Sequence, residues 1–185
     1  NVMIYSKKRR CLHFRYLDGG KTMNTDETKH IPFSQSLDPL TGLPGQPAFL
    51  QAFAEAMGQA EQAGAPVSLV LVDIDRFEAM NGHLGRDAGD QALKRIACAI
   101  SNVASQTGVV YRYGGDAFIV LIKGMEKEDA FLLGERVRNT IEQCSVEEQE
   151  SMPTGCPLRI TAGVAAYPDD GGTAQEVIRK VNEAL

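Results

Sequence analysis

Two hydrophobic periods alternate along this chain. From Pro47, apolar residues recur at Phe49, Phe53, Ala56, Met57 and Ala60, the three-and-four spacing of a helix with one buried face. Gly64-Ala65-Pro66 ends that pattern. Val67-Ser68-Leu69-Val70-Leu71-Val72 follows as a nearly continuous apolar run, which predicts a central strand covered on both faces. Phe77 to Leu84 reads as a helical turn and a loop. Helical spacing returns from Asp87, with Leu93, Ile96, Ala97, Ile100 and Val103, and again from Glu126 to about Cys144, with Ala130, Leu133, Val137 and Ile141. Between those helices, Val109-Val110-Tyr111 and Phe118-Ile119-Val120-Leu121-Ile122 flank a glycine turn. Their β-branched and aromatic content predicts a β-hairpin. A polar loop from Ser145 to Pro157, a strand from Leu158 to Tyr167 and a helix from Thr173 to Leu185 complete the pattern.

Strands and helices alternate, yet the hairpin brings an antiparallel pair into the sheet. The fold class expected is α/β: a sandwich with a central, mainly antiparallel sheet and helices on both faces. At 185 residues and 43% hydrophobic content the chain suits one domain with appended segments, and no apolar run approaches the ~20 residues of a membrane helix. A net charge of -5 leaves no basic excess to neutralise a phosphate backbone, so nucleic acid is not an expected partner. Cys11, Cys98, Cys144 and Cys156 are scattered and make no metal-type pair, and nothing in them calls for an oxidising compartment. The cytoplasm is the expected setting.

Residues 1 to 37 differ in character from the rest and read as an N-terminal linker or the end of a preceding region. Asn1 is not an initiator methionine, so a piece of a longer protein is expected. Lys7-Lys8-Arg9-Arg10 reads as a solvated linker or as the juxtamembrane end of a missing span that tethers the domain to the inner membrane.

The chemistry concentrates in two places. Tyr113-Gly114-Gly115-Asp116-Ala117-Phe118 puts a carboxylate on a turn whose glycines permit positive φ and let a large ligand come close to the backbone. The buried strand ends in Asp73-Ile74-Asp75. Acids there are costly without a partner, and a divalent cation is a natural one. If strand and hairpin lie side by side, Asp73 and Asp116 hold Mg²⁺ together, a geometry suited to phosphoryl transfer.

Asp38-Pro-Leu-Thr-Gly-Leu-Pro44, Asp73-Ile-Asp-Arg-Phe77, Asn81, Gly85, Gly89-Asp90, Arg112-Tyr-Gly-Gly-Asp-Ala-Phe118 and Tyr167-Pro-Asp-Asp-Gly171 stand in one order along residues 38–185. In that order they resemble the signature blocks of GGDEF domains, the diguanylate cyclase family. The resemblance implies a nucleotidyl cyclase-like, palm-type sandwich that condenses two GTP molecules to cyclic di-GMP, with two domains meeting face to face as a homodimer. It further implies Asp73, the Ile74 carbonyl and Asp116 as ligands of Mg²⁺ (or Mn²⁺), and Asp116 as the catalytic proton acceptor. Gly114 and Gly115 would bind substrate, while Asn81 and Asp90 would read guanine. An amide can donate to O6 of the base, and a carboxylate can accept from its N1 and N2 hydrogens; adenine presents the opposite pattern.

Several positions depart from the family pattern. Ala117 stands where the family has Glu, and Glu78 where it has a phosphate-contacting Lys. Loss of one such transition-state contact costs ~2.7–4 kcal/mol, roughly a hundred- to thousandfold in rate. Gly45-Gln46 replaces Asn-Arg, Gly82 replaces Asp, and Arg86 replaces His. The phosphate-binding Lys and Arg of the last helix would fall beyond Leu185. The inhibitory product site, Arg-x-x-Asp in the family, is Ser105-Gln-Thr-Gly108 here, which predicts no feedback binding of cyclic di-GMP. Three readings follow: a degenerate GTP-binding regulatory domain, often fused in this family to a phosphodiesterase or sensor domain; an active diguanylate cyclase; or an interaction domain with a relic site. Retention of Asp73, Asn81, Asp90 and Asp116 beside Ala117 and Glu78 favours the first.

Overall fold

The computed structural model describes residues 37–147 and 158–185. All of the expected linker but Leu37, and most of the expected loop from Ser145 to Pro157, lie outside them. The element order is α1 (Gln46–Ala63), β1 (Val67–Ile74), α2 (Phe77–Leu84), α3 (Arg86–Ala104), β2 (Val109–Gly114), β3 (Ala117–Lys123), α4 (Lys127–Glu147), β4 (Ile160–Tyr167) and α5 (Ala174–Glu183).

The four strands form one sheet in the order β2-β3-β1-β4, every neighbouring pair antiparallel. Strand β1 sits inside the sheet, and the alternation of its side chains divides the core. On one side, Val70, Val72 and Ile74 are covered by α3 and α4 through Ile96, Ile100, Leu133 and Val137.

 On the opposite side, Val67, Leu69 and Leu71 pack with Phe49, Phe53, Ala56, Met57 and Ala60 of α1 and with Val177 and Val181 of α5. The unbroken apolar run of β1 is thus the signature of a strand covered twice, and each large side chain so buried contributes roughly 1.5–3 kcal/mol. Ser68, the one buried polar residue of that run, donates its hydroxyl to the Met125 carbonyl at 2.8 Å and ties the β3–α4 connection to the sheet.

Two elements differ from the sequence reading. Residues 77 to 84 form a continuous helix rather than a turn and a loop, and α4 runs on to Glu147, past the expected end near Cys144. Helix α2 fully buries none of its residues, though Phe77 and Met80 pack partly buried against the core, and the glycine in its interior weakened the helical reading. Its chain enters through Arg76, whose φ of 57° is the only positive value outside glycine among the described residues.

Candidate functional site

Antiparallel pairing brings the signature blocks to one end of the sheet. Where β1 finishes, β3 and β4 begin: Asp73 stands opposite Ala117 on one side and Thr161 on the other. Asp116 precedes Ala117 in the β2–β3 turn, so strand register alone sets the two candidate metal ligands side by side. Burial, then the negative charges of Asp116 and Asp75, push the Asp73 carboxyl above its ordinary range. Asp75 itself is held by the sheet, since its Oδ1 accepts from the Thr161 hydroxyl at 2.8 Å.

Arg112 organises the turn, a role the sequence reading did not assign. Its Nε donates to the Gly114 carbonyl at 3.2 Å, its Nη2 donates to the Gly115 carbonyl, and its Cζ lies 4.7 Å from the centre of the Phe118 ring. Burial lowers the pKa of the guanidinium, while the charges of Asp38, Asp116 and Asp90 act in the opposite direction. The signal was present in the sequence: a cation inside a largely apolar strand, two residues before a Gly-Gly turn.

The Asp38 block is locked to the same place. Asp38 Oδ1 accepts from the Thr41 amide at 2.8 Å and its hydroxyl at 2.6 Å, and the Arg112 amide donates to the Pro44 carbonyl at 2.8 Å. This loop therefore braces the strand that carries Arg112.

Gly114 and Gly115 are exposed, and neither takes the positive φ that the sequence reading allowed them. A Cβ built on either meets nothing within 4 Å. The fold itself does not require glycine here; the open space above the turn is the property left to explain it.

Asn81 lies on α2 and Asp90 on α3, where Asp90 is exposed and close enough for its charge to act on Arg112. Asn81 Oδ1 is buried without a hydrogen-bond partner, and so is Arg112 Nη1. These are the only two such side-chain atoms among the described residues, and both fall at this end of the sheet. Buried polar atoms without partners cost about 1–3 kcal/mol each and are rare in native folds.

A divalent cation fits the donors present. Two neighbouring carboxylates repel one another, and no group of three or more His, Cys, Asp or Glu side chains able to hold a metal occurs among the described residues. Two carboxylates and a carbonyl are few donors for Mg²⁺ unless phosphate oxygens and water complete the set.

Where the family has its inhibitory product site, and none is expected here, Gly108 is packed against β3. A Cβ there would lie 2.8 Å from the Leu121 carbonyl oxygen and 2.9 Å from side-chain atoms of Val120 and Ile122. An aspartate has no room at this position without movement of the sheet.

Comparison with known proteins identifies the family. The model of the diguanylate cyclase GGDEF domain matches residues 35–185, and the chain belongs to that family. Cyclic di-GMP phosphodiesterase NbdA of Pseudomonas aeruginosa is 29% identical over 148 residues, which make up 80% of this chain and 18% of that protein. Diguanylate cyclase DgcP of the same organism is 34% identical over 151 residues, 80% of this chain and 22% of that protein. The chain thus spans a small part of the length of either relative. The crystal structure of diguanylate cyclase SiaD from Pseudomonas aeruginosa, in complex with its activator SiaC, matches with a TM-score of 0.73 at 26% identity, covering 82% of this chain and 57% of that one. The α/β sandwich is the GGDEF fold, a domain of cyclic di-GMP signalling. No described helix is long and apolar enough to cross a membrane.

Proposed function

We propose that this GGDEF domain binds GTP with Mg²⁺ (or Mn²⁺) and serves as a regulatory module, its diguanylate cyclase chemistry weak or lost. The observation that carries the binding half is the unpartnered buried donor Nη1 of Arg112 beside an open Gly-Gly turn, at the end of the sheet where Asn81 and Asp90 also lie. Asn81 and Asp90 read the guanine edge. Gly114 and Gly115 let the phosphates approach the backbone, which Arg112 holds in place by its two carbonyl contacts.

Asp73, the Ile74 carbonyl and Asp116 are the residues that would hold the cation. When bound, it neutralises the triphosphate and lowers the cost of deprotonating an attacking 3′-hydroxyl. Asp116 would accept that proton. Turnover would need a second copy of the domain facing the first.

Two residues support the loss of chemistry. Ala117 leaves the position across from Asp73 without a carboxylate, and Glu78, exposed on the first turn of α2, puts negative charge where the family pattern has a cation for phosphate. The similarity to NbdA, named as a cyclic di-GMP phosphodiesterase, supports a regulatory role beside a phosphodiesterase domain. Residues 1–37 are read as the linker to a preceding region, and the cytoplasm as the setting. The test is GTP binding measured together with cyclic di-GMP formation. Binding without product supports the reading, and product that disappears in Asp116→Ala replaces it with an active cyclase.

A further inference from the structure

We propose that Gly89 determines guanine selectivity by making the space that holds the Asn81 amide against α3. The inference rests on the reading of this pocket as a guanine site. Gly89 is buried in the first turns of α3, immediately before Asp90. A Cβ at this position would lie 1.9 Å from Asn81 Oδ1, 2.9 Å from its Cγ and 3.2 Å from Phe77 Cζ. The first two distances are far inside van der Waals contact, so any side chain at residue 89 evicts the amide from its place.

Backbone conformation does not explain this glycine. Gly89 is helical and does not adopt a positive φ. Glycine inside a helix costs about 1 kcal/mol relative to alanine, and the amide it accommodates presents a buried oxygen with no partner. Both features work against the free fold. With Oδ1 turned toward Gly89, the Nδ2 of the amide is the group left to donate to O6 of guanine, and the adjacency of Gly89 to Asp90 sets the second base-reading group one residue along the same helix.

The atoms in the way belong mainly to the end of one side chain, so Gly89→Ala displaces Asn81 without breaking the fold. The experiment compares GTP and ATP, each with Mg²⁺, by thermal shift and by titration on the wild-type chain, Gly89→Ala, Asn81→Ala and the double variant. Gly89→Ala is expected to melt no lower than about 2 °C below wild type. Its affinity for GTP should fall by about tenfold or more while ATP binding stays the same. In the Asn81→Ala background the same change should produce no further loss, because both act through one amide.

A GTP-to-ATP preference unchanged in Gly89→Ala overturns the inference alone, as do losses that simply add in the double variant. A wild-type chain with no preference for GTP overturns the guanine reading and the inference with it. Melting temperatures of the four proteins separate the cases, since they report the Gly89–Asn81 contact without any nucleotide.

Discussion

Asp73 at the end of β1 faces Ala117 across the β1–β3 ladder, so the group across from this half-buried carboxylate is a methyl. Its charged neighbours are Asp116 and Asp75, which with burial raise its pKa. The register makes Ala117 the most direct handle on the chemistry of the site.

Ala117→Glu places a further carboxylate beside that cluster. Like charges across a ladder destabilise by about 0.2–1 kcal/mol, so the metal-free variant should melt roughly 1–4 °C below wild type. Added Mg²⁺ should reverse the loss and raise the melting temperature of the variant more than that of wild type. Melting curves with and without the cation check this; an equal response to Mg²⁺ in both proteins would place residue 117 outside the metal site.

Gly115→Ala separates binding from folding. A Cβ there meets open space and no left-handed backbone is involved, so the melting temperature of the nucleotide-free protein should stay within about 2 °C of wild type. Binding of GTP should weaken by about tenfold or more, because the added methyl occupies the approach to the turn. Calorimetric titration decides the matter: full affinity in this variant would mean that phosphates do not lie against the Gly-Gly turn.

Asp170 gives the fold an acid-sensitive joint. Its Oδ2 accepts from the Ala166 amide at 2.8 Å, and its Oδ1 lies 2.6 Å from Lys127 Nζ at the start of α4. Burial pushes its carboxyl up, but the Lys127 hydrogen bond, the Ala166 amide and the charges of Lys127 and Lys180 outweigh that and bring it below its usual value. A carboxyl lowered in the folded state stabilises above the unfolded pKa and loses that contribution as pH falls through the folded value. Asp170→Asn should therefore cost about 0.5–1 kcal/mol at neutral pH, with the difference from wild type shrinking below about pH 4. Chemical denaturation across that range is the check, and a constant difference at every pH would show that the ion pair contributes nothing.

The sheet and its two layers were legible in the sequence because burial imposes periods. All five residues of the Phe49-to-Ala60 stripe are buried, and the double cover of β1 follows from its unbroken apolar run. Helix α2 was not legible as a helix, since it is only eight residues long, fully buries none of them and carries Asn81 and Gly82 in its interior. Arg112 was given no role of its own for a different reason: its partners are backbone carbonyls of a turn and an aromatic face, and only its place as a cation in a largely apolar strand before the glycines hinted at them. The ordered blocks pointed to Asp73, Asn81, Asp90 and Asp116, and strand register then gathered the first and last of them. The close contact between Gly89 and Asn81 arises from the α2–α3 packing, which has no counterpart in a linear pattern.

One titration tests nucleotide binding without turnover most directly: GTP into the protein with Mg²⁺, with melting temperature recorded and cyclic di-GMP quantified by chromatography in the same samples. At a hundredfold excess over the dissociation constant, binding adds about 2.7 kcal/mol, a rise of roughly 5–10 °C. The expected result is that rise with GTP, a much smaller one with ATP, and little or no cyclic di-GMP. No shift with GTP would contradict the nucleotide site, and rapid product formation abolished by Asp116→Ala would contradict the loss of cyclase chemistry.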